Sequence, residues 1–241
     1  MVGAPPPHRK AHRKAHLIRT ELDLLLAELQ IGDAVPAERE LAARFGVARE
    51  TVRQALHELL VEGRIERRGR GTVVSRPKLV QPLSLRSYTE GAERMGRTPG
   101  RVLVSWEDID ADADLAAALG VAPGSTVMHL ERILLADGER IGLESTYLPG
   151  QRFGWLRDTF DPATSLYAAI RGSGVRFHAA LERVETALPS PREAALLGTT
   201  TAMPVLMLNR RTVDAADDPI EVVRALYRGD RVAFEALLTD R

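Results

Sequence analysis

VPAERELAARFGVARETVRQALHELLVEGRIERRGRGTVVS, residues 35–75, is the stretch on which the reading of this chain turns. Leu41 and Ala42 give residues 37–44 an apolar side, and Phe45-Gly46-Val47 interrupts it, Gly46 being the natural turn residue. From Ala48 the helical spacing resumes, with Val52, Ala55, Leu56, Leu59 and Leu60 on one stripe. Arg49 and Arg53 lie four apart at the edge of that stripe, with His57 a turn further. Two guanidinium groups therefore leave the first turns of a helix, where a DNA major groove could receive them. Gly63 ends the helix. Residues 64–68 and 72–75 read as short strands around Gly69-Arg70-Gly71, a basic wing. A helix-turn-helix shape alone is common, and an arginine-bearing helix face is usually just solvated. Arg64, Arg67, Arg68 and Arg70 shift the balance toward DNA, because a hairpin needs none of them to fold.

Outward from this stretch, charge is divided along the chain. The 241 residues carry 33 Lys+Arg against 33 Asp+Glu. Residues 1–78 hold 15 basic and 10 acidic side chains, and residues 79–241 hold 18 and 23. A basic first third followed by an acidic remainder fits nucleic acid at one end and a different task at the other. Cysteine is absent, which excludes a disulfide framework and a thiolate metal site. No long apolar run or signal-peptide core is present, so a cytoplasmic protein without a membrane partner is expected. The Pro-rich start and HRKAHRKAH lead to the expectation of a disordered basic tail over residues 1–15. His8, His12 and His16 fall at i, i+4 and i+8. Without a carboxylate nearby they read as part of a basic or solvated tail rather than a metal site, and no metal or cofactor is expected. Residues 17–29 are the first helix of the DNA-binding unit, packing through Ile18, Leu22, Leu25, Leu26 and Leu29.

The run from Pro36 to Thr72 resembles the winged helix-turn-helix of GntR-type bacterial transcription regulators. Their pattern is roughly PSERELA, then V-S-R-x-T-V-R-x-A-L, then G-x-G-T. The resemblance implies roles for matching residues: Arg39 on a phosphate, Arg49 and Arg53 with Thr51 between them on the recognition helix, Arg68, Gly69 and the adjoining Arg70 at a wing tip entering the minor groove. Arginine reading a base edge is commonly bidentate to guanine. Two positions depart from the pattern. Ala37 and Ala48 stand where the family has serine, each forgoing a helix cap worth roughly 0.5–2 kcal/mol.

Beyond Lys78 the pattern changes, and residues 76–82 read as a linker. Residues 112–119 form a helix ending at Gly120. Residues 126–135 and 140–148 form a hairpin turned at Asp137-Gly138. The unit recurs about 78 residues later: residues 191–197 end at Gly198, and residues 204–213 and 219–227 form a second hairpin. Leu119 aligns with Leu197, Val127 with Val205, Leu130 with Leu208, and Arg132 with Arg210. The expected fold class is α+β, a winged helix-turn-helix (residues 16–75) followed by a pseudo-symmetric domain on an antiparallel sheet (residues 83–241). Strand alternation puts Arg132 on one face with Met128, Leu130 and Leu134. A guanidinium among apolar residues needs an anion. That anion is either Glu144 on the facing strand or an acidic group of a ligand, and Arg210 repeats the situation. Glu221 and Tyr227 share a face with Val223 and Ala225.

Residues 83–241 resemble the ligand-sensing UTRA domain of the HutC-type branch of the same family, whose fold is similar to chorismate lyase. The resemblance rests on Ser87-Tyr88-Thr89-Glu90, Leu130-Glu131-Arg132, Leu143 to Pro149, Ser165-Leu166-Tyr167 and Tyr227 to Asp230. It implies an effector cleft lined by Tyr88, Thr89, Arg132, Glu144, Ser165, Glu221 and Tyr227. Members sensing phosphorylated sugars often carry Arg-x-Arg at the first hairpin. Leu134 at the second position therefore points to a less negatively charged effector.

Three functions remain in view. The first is a ligand-controlled regulator, a repressor by the commonest family logic, binding a palindromic double-stranded operator as a homodimer and released by a small metabolite. The second is a chorismate lyase-like enzyme tethered to DNA. Glu144 and Tyr227 supply no clear base–nucleophile couple for it, and His129 and His178 are isolated, so no catalytic residue is assigned. The third is an effector-free DNA-binding protein with Arg132–Glu144 as a core ion pair.

Overall fold

The periodicity of residues 35–75 becomes two helices and a hairpin in the computed structural model, which describes residues 18–238. The tail over residues 1–15, with His8 and His12, lies outside them, as does His16. The chain divides into two units, the boundary falling between Lys78 and Leu79.

In the first unit, helix α1 is described over residues 18–27 and buries Ile18, Leu22, Leu25 and Leu26. Helix α2 (Glu38–Phe45) stops at Gly46, whose φ of 63° is the left-handed cap that glycine adopts without strain. Helix α3 (Arg49–Val61) turns Val52, Ala55, Leu56 and Leu59 into a core shared with α1, α2 and Ile65. Strands β1 (Ile65–Arg68) and β2 (Gly71–Val74) pair antiparallel as the wing. The N-caps Ala37 and Ala48 have extended cap geometry but give no side-chain hydrogen bond. At Ala37 the backbone N–H donates to Glu40 Oε2 at 3.2 Å, the half of a capping box that alanine can still make.

The second unit starts earlier than the sequence reading places it. Leu79–Pro82, expected as linker, is strand β3, paired parallel with the final strand, and Leu79 is buried. A chain that closes against its own end needs an apolar strand there, and Leu79 and Val80 supply it. Helix α4 (Tyr88–Arg94) follows, capped by Ser87, then strand β4 (Pro99–Asp110). Helix α5 (Ala113–Leu119) is capped by Asp112 and ends at Gly120. Strands β5 (Thr126–Ala136) and β6 (Glu139–Pro149) make the first hairpin, with φ of 51° at Asp137 and 80° at Gly138, as its tight turn requires. Short helices α6 (Gly150–Phe153), α7 (Leu156–Thr159) and α8 (Leu166–Gly172) lead to strand β7 (Phe177–Ala187). Helix α9 (Pro191–Leu197) and strands β8 (Val205–Asp214) and β9 (Pro219–Arg228) repeat the helix–hairpin unit, and β10 (Val232–Glu235) closes on β3. The antiparallel sheet runs β4-β5-β6-β9-β8-β7, so the two hairpins meet at β6 and β9 and the pseudo-twofold passes between them. No helix among the described residues is long and apolar enough to cross a membrane.

Candidate functional site

In the first unit, the expected DNA-contacting residues divide by what already holds them. Arg39, Arg49 and Arg70 are exposed and have no ion pair among the described residues. Half-buried Thr51 lies one turn from Ala48 on the same helix. Arg53 is engaged: its Nε and Nη2 donate to Glu38 Oε2 at 3.3 and 3.2 Å, and its Nη1 donates to Glu50 Oε2 at 2.8 Å. Arg68 donates to Glu66 at 2.7 Å beside Gly69, whose φ of 58° makes the wing turn. Arg53 and Arg68 must therefore share or exchange a carboxylate to reach DNA, whereas Arg49 presents its fork unpaired.

In the second unit, one face of the sheet carries a polar pocket. Pairing across strands builds it: Arg132 on β5 faces Glu144 on β6, Glu144 faces Ala225 on β9, and Thr146 faces Val223, which faces Arg210 on β8. Gly142 opposite Tyr227 lets the phenol ring lie across β6, because a Cβ there would stand 3.1 Å from the ring. Helices α4 and α8 and strand β3 roof the pocket with Tyr88, Tyr167 and Gln81. Of the seven expected effector residues, Tyr88, Arg132, Glu144, Ser165, Glu221 and Tyr227 line it. Thr89 does not; its hydroxyl stands behind the wall and accepts from Arg101 Nη2 at 2.8 Å. Ser165 also caps α8, accepting from the Ala168 N–H at 3.3 Å.

Arg101, Tyr167 and Arg210 also line the pocket. Arg210 carries a sequence signal, its repeat position. Tyr167 falls in the Ser165-Leu166-Tyr167 match, though its place in the pocket depends on the docking of α8; Arg101 carries none, because strand register alone brings it in. Arg101 pairs in register with Leu134. The cation missing at Leu134 is thus supplied from the neighbouring strand, and the charge argument drawn from Leu134 does not hold.

Charges in the pocket are matched but not exhausted. Arg132 is 2% exposed. It donates to Glu144 at 2.6 Å and to the Pro162 and Thr164 carbonyls at 3.3 and 3.2 Å. Burial would raise the Glu144 pKa, but the guanidinium groups of Arg132 and Arg101 outweigh it and hold the carboxyl below its usual range. Burial, with Arg132 nearby, lowers the pKa of Arg101. Arg210 donates to Glu182 at 2.5 and 3.0 Å and to the Tyr167 hydroxyl at 3.0 Å. Burial opposes its charge, yet Tyr167 and Glu182 raise its pKa above the ordinary value. Burial pushes Glu221 up to about 7, against hydrogen bonds from Tyr167 and Thr212. Burial likewise raises Tyr88 to about 12 and Tyr227 further. Four buried polar atoms lining this pocket have no hydrogen-bond partner among the described residues: Gln81 Nε2, Arg101 Nε, Arg132 Nε and Glu221 Oε2. Buried orphans are rare because each costs desolvation without return.

Comparison with known proteins adds the identity. The model of bacterial regulatory proteins of the gntR family matches residues 16–74, and the UTRA domain model matches residues 94–233. The HTH-type transcriptional repressor PhnF of Mycolicibacterium smegmatis is 54% identical over 225 residues, 93% of this chain and 92% of PhnF. The chain belongs to the GntR family. This GntR regulator is also 37% identical to the repressor NagR of Bacillus subtilis over 210 residues, 86% of each. The crystal structure of PhnF superposes with a TM-score of 0.70, covering 93% of this chain and all of that one. The winged helix is thus the DNA-binding unit of a transcription regulator, and the sheet unit is its UTRA, effector-binding domain.

Proposed function

We propose that this GntR regulator is a cytoplasmic homodimeric repressor, released from a palindromic operator when a small anionic metabolite enters the UTRA pocket. One observation carries the effector class. With Glu221 protonated, Arg86, Arg101, Arg132 and Arg210 outnumber Glu144 and Glu182 around the pocket, leaving an excess of guanidinium charge beside two guanidinium Nε–H groups without a partner among the described residues. An anionic group of the ligand would accept from those two donors, while Glu221 and Gln81 engage polar groups at its other end. On the DNA side, Arg49 reads a base edge, Arg39 holds phosphate, and Thr51, Arg53, Arg68, Gly69 and Arg70 complete the contact surface. Two copies are needed because one recognition helix covers too few bases for genomic specificity. The role is sensing rather than turnover, in keeping with the transcriptional repressors to which the chain is similar.

The test is a thermal-shift screen of the full chain against carboxylates, phosphate esters and neutral sugars, followed by operator binding with each hit. At 100 times its Kd a ligand stabilises its site by about 2.7 kcal/mol. The expected hit carries an anion, alters operator affinity, loses its effect in Arg132→Ala, and is recovered unchanged. Stabilisation by neutral compounds alone would overturn the ligand class. A second reading, a structural Arg132–Glu144 pair without effector, is favoured by the three hydrogen bonds that already hold Arg132. It predicts no anion-dependent shift.

A further inference from the structure

Helix α3 carries a second stripe besides its buried one. Val52, Ala55, Leu56 and Leu59 face the core, while Glu50, Arg53, Gln54 and His57, at i, i+3, i+4 and i+7, are all exposed. At about 100° per residue, Glu50 stands almost diametrically opposite the core stripe, with Arg49 off to one side. The Glu50 side chain is 78% exposed. A groove that receives the first turns of α3 therefore receives a carboxylate near its middle, among phosphates that place one negative charge on about every 1.7 Å of duplex. An ionised carboxylate taken from water into that field is costly unless it accepts a hydrogen bond. Phosphates and the O6 and N7 of guanine cannot donate one. The donors on the floor of the major groove are the amino groups of cytosine and adenine, and a carboxylate pairs with that of cytosine.

Resting on the reading of α3 as the base-reading helix, we propose that Glu50 is a specificity-determining residue, accepting from the amino group of a cytosine one base-pair step from the contact of Arg53. Three residues of helix advance about 4.5 Å, close to the step of about 3.4 Å between stacked pairs. The neighbours of Glu50 leave it available. Among the described residues its ion-pair partner is Arg53, whose Nη1 donates to it at 2.8 Å. Arg53 is held independently by Glu38, which accepts from its Nε and Nη2, so the guanidinium keeps its direction when Glu50 turns to a base. Glu38 sits at the start of α2 and also faces Arg67 of the wing at 4.0 Å, which fixes it from a second side. A plainer role for Glu50 is to favour the start of α3 through the helix dipole, where Ala48 offers no side-chain cap. That role touches stability and leaves sequence preference alone.

Selection of bound duplexes from a pool with a randomised core separates the two roles, using the full chain unmodified and as Glu50→Ala, Glu50→Gln and Arg49→Ala. The unmodified chain should prefer cytosine at one position of the selected sequence by on the order of tenfold. Glu50→Ala should lose that preference and keep the rest of the sequence. Glu50→Gln should move it to adenine, whose N6 and N7 a carboxamide pairs together. A selected sequence unchanged in both Glu50 variants overturns the proposal, and a lowered unfolding midpoint beside it assigns Glu50 to helix stability alone. If Arg49→Ala alters the selected sequence in that case, α3 still reads DNA and only the role of Glu50 falls. If Arg49→Ala leaves it unchanged too, the base-reading role of α3 falls with it.

Discussion

Glu221 offers the sharpest test of the pocket's electrostatics, by substitution to glutamine with stability measured at two pH values. The carboxyl is buried, faces Tyr167 and Thr212, has Arg210 and Glu144 nearby, and is pushed up to about 7. In the unfolded chain a glutamate titrates near 4.3. The folded state therefore holds a proton that the unfolded state has lost, and stability falls as pH rises through this interval. The stabilising contribution is complete below the unfolded pKa and gone above the folded one. Between about pH 5.5 and about pH 8 this single group should cost the folded protein about 2 kcal/mol. Glutamine keeps the shape and a hydrogen-bonding end but cannot titrate. Urea unfolding of both proteins at both pH values gives a difference of differences in which all other groups cancel. The glutamine chain should be the less pH-sensitive by about 2 kcal/mol. Equal pH dependence in the two proteins would show that Glu221 is ionised throughout, and the net charge assigned to the pocket would be wrong by one.

Other perturbations address separate parts of the molecule. Arg49→Ala should cost about 1–3 kcal/mol at the cognate operator with little effect on random DNA, whereas Arg39→Ala should weaken both and lower the salt slope by about 1, read by fluorescence anisotropy across a salt series. Glu144→Ala strands the Arg132 guanidinium and should destabilise the second unit by about 3–5 kcal/mol, and pairing Arg132→Met with Glu144→Leu should recover most of that loss in urea unfolding. Ala37→Ser supplies the missing cap of α2 and should stabilise the first unit by roughly 0.5–2 kcal/mol, seen in its unfolding midpoint.

The parts of the fold legible in the sequence are those where local pattern and tertiary demand agree. Val52, Leu56 and Leu59 repeat at helical spacing and are buried as that spacing requires. Asp137-Gly138 can adopt positive φ and does so. The repeat places Arg132 and Arg210 at matching points of two hairpins, and both line one pocket. Strands β4 and β7 are less legible because an edge strand is wet on most of its surface and shows little apolar alternation. Leu79–Pro82 reads as linker because its partner, Val232–Glu235, lies at the far end of the chain. Within the site, alternation along one strand locates Arg132, Glu221 and Tyr227. Arg101 and Tyr167 depend on contacts between distant segments, so no local period announces them. Arg53 shows the converse: its spacing suits a base reader, and only the fold reveals the two carboxylates already holding it.

The seam between the two hairpins has a mechanical consequence. It pairs Gly142–Tyr147 with Val222–Tyr227, a shorter ladder than those inside either hairpin. The pocket lies directly over it, with Arg132 contributed from one side and Arg210 from the other. A molecule gripping both arginines acts as a rivet across the shortest joint in the sheet, resisting shear between the halves. Backbone amides along β6 and β9 should then exchange with solvent more slowly when the pocket is filled, and the two hairpins would move as one plate instead of two.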